Sequence, residues 1–204
     1  MGQRSQIYVA WKNDKGDNIL VARYFQWNFA ERMISRCSAL VQILKSSLEY
    51  SFLWNEKEFY KKINRVCDVN FDMIDVSLSI NIIKDLFDPF YEINEKDRNM
   101  WCFEQQDNND GQLFVFVDVP DKKVKYGFLK YDLDSSKVMT ASRYMNWDYK
   151  GWLHDKYLDK EDVGICKENI KTINKSATLL TTEEINTIRD TKYKWEELLE
   201  ACGD

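Results

Sequence analysis

The sequence predicts an α+β fold: an antiparallel sheet, made of an N-terminal hairpin and a four-stranded meander, with helices packed on one face and a C-terminal helical segment. Three observations lead there. Two strand-like stretches open the chain on either side of Asn13-Asp14-Lys15-Gly16-Asp17, a run of turn residues. From Met100 onward, four more strand-like stretches follow one another across short breaks, which makes neighbours antiparallel. Between and after these blocks, apolar residues recur at helical spacing. Strands and helices grouped in separate runs point to a sheet covered by helices.

The elements follow in order. Gln6–Lys12 and Asn18–Phe25 form the hairpin. A long helix then starts at Phe29. Asn28 is its expected N-cap, and Glu31, three residues on, can complete a capping box. Phe29, Met33, Cys37, Leu40, Val41 and Leu44 fall on its inner face, with Arg32 and Arg36 together on another. Asn55 and Glu58 repeat the capping spacing ahead of a second helix that turns Phe59, Ile63, Val66 and Cys67 inward. Ile74, Val76, Leu78 and Ile80 alternate with Asp75, Ser77 and Ser79, which reads as a half-buried strand, with a short helix as the alternative. Ile82–Phe87 reads as a helical turn stopped by Asp88-Pro89. The meander strands are WCFEQQ, QLFVFVDV, KVKYGFLKYD and KVMTASRYMNWD. They are broken at Asp107–Gly111, at Pro120-Asp121-Lys122 and at Asp134-Ser135-Ser136. Helices are expected at Lys160–Asn174 and after Thr181, where Glu184 again supplies the capping-box partner and Ile185, Ile188, Trp195 and Leu199 face inward. Residues 1–148 are thus expected to form the α+β core, with 149–204 a helical extension packed on the same domain and Lys175–Leu180 the one plausible joint.

Composition narrows the function classes. The chain has 204 residues, enough to bury a core, with 7 Trp, 11 Tyr and 11 Phe against 2 Pro, which is not the make-up of a disordered chain. No apolar run approaches the roughly 18 residues of a membrane span, and Gln6 departs from the myristoylation pattern. Cys37, Cys67, Cys102, Cys166 and Cys202 are scattered without a CxxC and read as reduced core residues. The expectation is a cytoplasmic protein with no membrane partner and no cofactor. The net charge of −5 is unevenly spread. Residues 1–65 hold 11 Lys+Arg against 6 Asp+Glu, whereas residues 66–121 hold 3 against 13. Two surfaces of opposite sign would steer partners; interleaving on folding would cancel them.

Several words of this sequence carry a resemblance: GQRSQIYV, ARYFQWNFAERMISR, VCDVNFDM, EQQDNNDGQLFV and YMNWD. Together, over about residues 1–148, they resemble an uncharacterised family associated with phages and prophages of Gram-positive bacteria. That resemblance implies a context and no site residues. Small phage accessory proteins often bind and disable host machinery, CRISPR nucleases and nucleotide-signalling defences included, so it implies an anti-defence role by analogy.

Catalytic signatures are sparse. His154 is the single histidine, so triad chemistry and histidine-based zinc sites have little to build on. The acidic turn from Asp107 fails the EF-hand pattern, with Gly111 at five and Asp118 at twelve. No phosphate-binding glycine loop occurs. Three functions stay open. The leading one is an anti-CRISPR-like inhibitor of a host defence protein, a nucleic-acid-handling effector, that offers Asp107, Asp110, Asp118 and Asp121 to a basic channel. A second is a sponge for a nucleotide signal at the first helix N-terminus, with Arg23, Arg32 and Arg36 on phosphate, Tyr24 or Trp27 stacking on a base, and Asn28 at the cap. A third is a metal-dependent phosphoesterase using Asp118, Asp132 and Asp148. The plainer account makes the arginines a solvated face and Trp27 a core anchor.

Overall fold

The computed structural model describes residues 4–13, 15–26, 30–49, 58, 61–62, 79–81, 111–130, 137–148 and 160–193. Strand β1 (Arg4–Lys12) pairs antiparallel with β2 (Asn18–Gln26), in register from Arg4 opposite Gln26 to Lys12 opposite Asn18. The turn between them is closed by the Asn13 side chain, whose Oδ1 accepts the Asp17 N–H at 2.8 Å. Gly16 takes a φ of 86°, a left-handed conformation that suits a residue without Cβ.

Helix α1 (Glu31–Glu49) begins two residues later than its sequence pattern indicates. Ala30, at φ 45°, turns the chain into it, and its carbonyl accepts the Ile34 N–H at 3.1 Å. The expected cap Asn28, together with Trp27 and Phe29, lies outside the described residues, as does most of the expected second helix, of which Glu58, Lys61 and Lys62 are helical. Strand β3 (Ser79–Asn81) pairs with β2 and is the last part of the alternating stretch. The Ile82–Phe87 turn and WCFEQQ also fall outside the described residues.

Strand β4 (Gln112–Asp118) and strand β5 (Lys123–Leu129) form an antiparallel pair around a turn with Pro120 at its second position. The meander stops there. The KVMTASRYMNWD stretch contributes a single bridge, Met139 to Phe128, and then becomes helix α2 (Ala141–Asp148). Thr140 explains the switch, because its Oγ1 accepts the Arg143 N–H at 3.2 Å, an N-cap contact, and Ala141, Tyr144 and Met145 bury one helical face. Helix α3 (Lys160–Ser176), strand β6 (Thr178–Leu179) and helix α4 (Thr182–Asp190) follow. The expected joint at Lys175–Leu180 is knitted into the sheet instead, with the Leu180 N–H donating to the Tyr126 carbonyl at 2.7 Å. No helix among the described residues is long and apolar enough to cross a membrane.

The molecule thus has mixed α and β content, and two features of the expected sheet are corrected. Strand order is β3-β2-β1-β4-β5-β6, and the sheet is mixed: β1 runs parallel to β4, and β5 parallel to β6. Helices also cover both faces, not one. Ile7, Val9, Trp11, Leu113, Val115 and Phe128 point to the side holding α1, α2 and α3. Tyr8, Ala10, Leu20 and Phe114 point to the other, where Leu180, Ile185, Ile188 and Tyr193 close over them. The reason is visible in β1 and β4, which are apolar at successive rather than alternate positions, as strands buried on two faces must be. Gly127 permits the close fit on the second face, since a Cβ there would lie 2.4 Å from Val138 Cγ1.

Candidate functional site

The first helix does not present its arginines as one open face. Arg36 is 1% exposed, and its guanidinium carbon sits 4.7 Å from the centroid of the Phe25 ring. Arg32 is half-buried. The expectation that both lie off the buried surface is therefore corrected for Arg36. The cause is a buried arc wider than the apolar stripe: Ile34, Arg36 and Ser38 are enclosed along with Met33, Cys37 and Leu40. Helix α3 flanks α1 as well, with Asn169 Nδ2 donating to Ser35 Oγ at 3.2 Å. Arg23 and Tyr24 occupy β2 positions opposite Ile7 and Gln6, with β3 on the other side. Trp27 and Asn28 are outside the described residues. Cys37 and Cys166 on the two helices are buried, and burial raises both thiols, Cys166 to about 12, so neither is a thiolate near neutral pH.

Of the four candidate partner-binding aspartates, Asp107 and Asp110 fall outside the described residues. Asp118 and Asp121 meet at the β4–β5 turn. Asp118 Oδ1 accepts the Asp121 N–H at 3.1 Å, and Asp121 pairs with Lys123 at 2.8 Å. The hydrogen bond from Lys123 holds the Asp121 carboxyl below its ordinary value. The turn therefore exposes acids and lysines side by side. In sheet order, strands of the acidic middle, β3 and β4, flank the hairpin of the basic first third. Of the phosphoesterase carboxylates, Asp132 lies outside the described residues, and Asp148 ends α2 while Asp118 ends β4. Among the described residues, no three or more His, Cys, Asp or Glu group so as to hold a metal. His154 is outside them.

A cleft that the sequence did not signal lies on the second face of the sheet. Helix α4 is set by a complete capping box: Thr181 Oγ1 accepts the Glu184 N–H at 3.1 Å, and Glu184 Oε2 accepts the Thr181 N–H at 2.8 Å. The other Glu184 oxygen binds the Lys125 ammonium of β5, which ties the start of α4 to the sheet. Both interactions hold the Glu184 carboxyl below its ordinary value, that with Lys125 most. Farther along, the Asn18 side chain reaches the Lys192 carbonyl at 3.5 Å, and the Tyr193 hydroxyl donates to the Ile188 carbonyl at 2.9 Å. Between these two attachments lies a cleft of about 250 Å³, lined by Phe116, Leu180, Ile188 and Tyr193 together with Trp11, Lys12 and Asn18. The nearest thing to a sequence signal was the run LFVFV, whose second-face aromatics Phe114 and Phe116 could not all be covered by a one-sided layer of helices. No protein-family model matches this chain, and no curated protein or solved structure is significantly similar to it.

Proposed function

We propose that this chain is a phage-type accessory protein that binds and disables a host defence protein, a nucleic-acid-handling effector in the manner of an anti-CRISPR inhibitor. The observation that carries the reading is the charge of residues 66–121, with 3 Lys+Arg against 13 Asp+Glu. Such a segment offers carboxylates where a basic channel expects phosphates. Two features of the fold support it. Asp118 and Asp121 stand at the end of a β-hairpin whose strands also pair with β1 and β6. Arg36 is drawn inside against Phe25, which takes one cation of the basic third off the surface.

The test is capture from a host lysate by the full chain and by a variant carrying Asp107→Asn, Asp110→Asn, Asp118→Asn and Asp121→Asn. The expected result is a nucleic-acid-binding protein retained by the unaltered chain, released by rising salt and by competing duplex, and lost with the variant. Capture that is indifferent to salt and to the four substitutions would sink the proposal.

A further inference from the structure

The geometry points to the cleft between α4 and the sheet as a binding site for a small, mainly apolar molecule bearing one carboxylate, such as an aryl-alkyl acid. This goes beyond the inhibitor reading and does not depend on it.

Size and wall chemistry set the first half of that description. A cleft of about 250 Å³ lies just under the range of drug-sized pockets, which leaves room for a ligand of about ten to fifteen non-hydrogen atoms. Its walls are the Phe116 ring, the Leu180 and Ile188 side chains and the Tyr193 ring. These accept a flat or short-chain apolar body, with the Asn18 amide as a polar neighbour.

The disposition of polar groups sets the second half. Every lining hydroxyl proton is already turned toward a backbone carbonyl: Thr187 Oγ1 donates to Glu183 at 3.0 Å, Thr191 Oγ1 to Thr187 at 2.7 Å, and Tyr193 to Ile188 at 2.9 Å. The Glu184 carboxylate is paired with the Lys125 ammonium and accepts the Thr181 N–H on its other oxygen, so its charge is balanced within the fold. The lining residue whose charge is not engaged within the described structure is Lys12, exposed at the end of β1 with its stem lying over Gly16. A single exposed lysine among the residues that line a mainly apolar slot suits a monoanion with an apolar body. A cation would meet an unbalanced positive charge there. A polyphosphate would find one lysine where it needs several donors.

The experiment is an amide-resolved NMR titration of the full chain with three probes of one shape: indole-3-acetate, tryptamine and indole. The expected result is saturable shifts at Phe116, Thr187 and Tyr193 with indole-3-acetate, and binding of tryptamine about tenfold weaker or worse. Lys12→Gln should weaken the acid by a similar factor while leaving the thermal unfolding curve in place, because Lys12 is exposed. Thr187→Trp, placed at an exposed helix position, should fill the cleft and abolish the shifts. Absence of saturable shifts at those three amides, tryptamine binding as well as the acid, or full affinity in Lys12→Gln would each overturn the assignment.

Discussion

Arg36 carries a charge into the interior, and the packing around it shows how. Its guanidinium lies over the face of Phe25, and its methylene stem is buried with it. Truncation therefore removes both a desolvated cation–π contact and buried methylenes. Arg36→Ala should cost about 2–4 kcal/mol in urea unfolding. Arg32→Ala, at a half-buried position, should cost markedly less. Near-equal small losses at the two positions would show that the guanidinium is not a packed part of the core. The pairing with Phe25 also bears on the nucleotide-capture alternative, because a guanidinium committed to a buried ring is withdrawn from an incoming phosphate.

Among the elements, α4 depends most on one local device. Thr181 and Glu184 satisfy each other's backbone N–H groups, and Glu184 also bridges to β5 through Lys125. Thr181→Ala should destabilise the chain by about 1 kcal/mol. The acid limb of stability should carry the same signature. Glu184 is held below its ordinary value, so its contribution is fully present above the unfolded glutamate pKa of 4.5 and is lost as pH falls through the lower folded value. Its side chain is 35% exposed, which keeps the ion pair's contribution to about 0.5–1 kcal/mol. Glu184→Gln should flatten stability between pH 5 and acid unfolding by that amount, as read from thermal midpoints across the pH series. An unchanged pH slope would mean that the bridge to Lys125 is not maintained in solution.

At the scale of the whole molecule, the C-terminal segment completes the fold. Helix α3 lies against α1 and contributes Cys166 and Ile173 to the first core, β6 extends the sheet beyond β5, and α4 closes the second face. A chain ending at Asp148 would leave Tyr8, Leu20 and Phe114 without the residues that cover them. It should lose cooperative unfolding and fixed aromatic packing, seen as a collapsed near-ultraviolet circular dichroism spectrum and dye binding to exposed apolar surface. A sharp unfolding transition in that truncated chain would show that 1–148 stands alone.

What the amino-acid sequence determined by itself was whatever depends on neighbours along the chain. The β1–β2 hairpin, with Asn13 and Gly16 at its turn, the burial of Met33, Cys37, Leu40, Val41 and Leu44, and the Thr181–Glu184 capping box all rest on contacts a few residues apart. Turn chemistry, helical periodicity and capping therefore revealed them. The tertiary structure alone decided the parallel pairing of β1 with β4, where Gln6 meets Gln112 across more than a hundred residues, and with it the mixed sheet. It also decided that both faces are covered, that Arg36 is enclosed, and that KVMTASRYMNWD yields a bridge and a helix rather than a strand. The cleft beside α4 belongs to this second group. Its lining comes from the N-terminal hairpin, from Phe116 in β4 and from the α4 segment, brought together because β1 is apolar on both sides and needed a second cover, and no spacing along the sequence records that meeting.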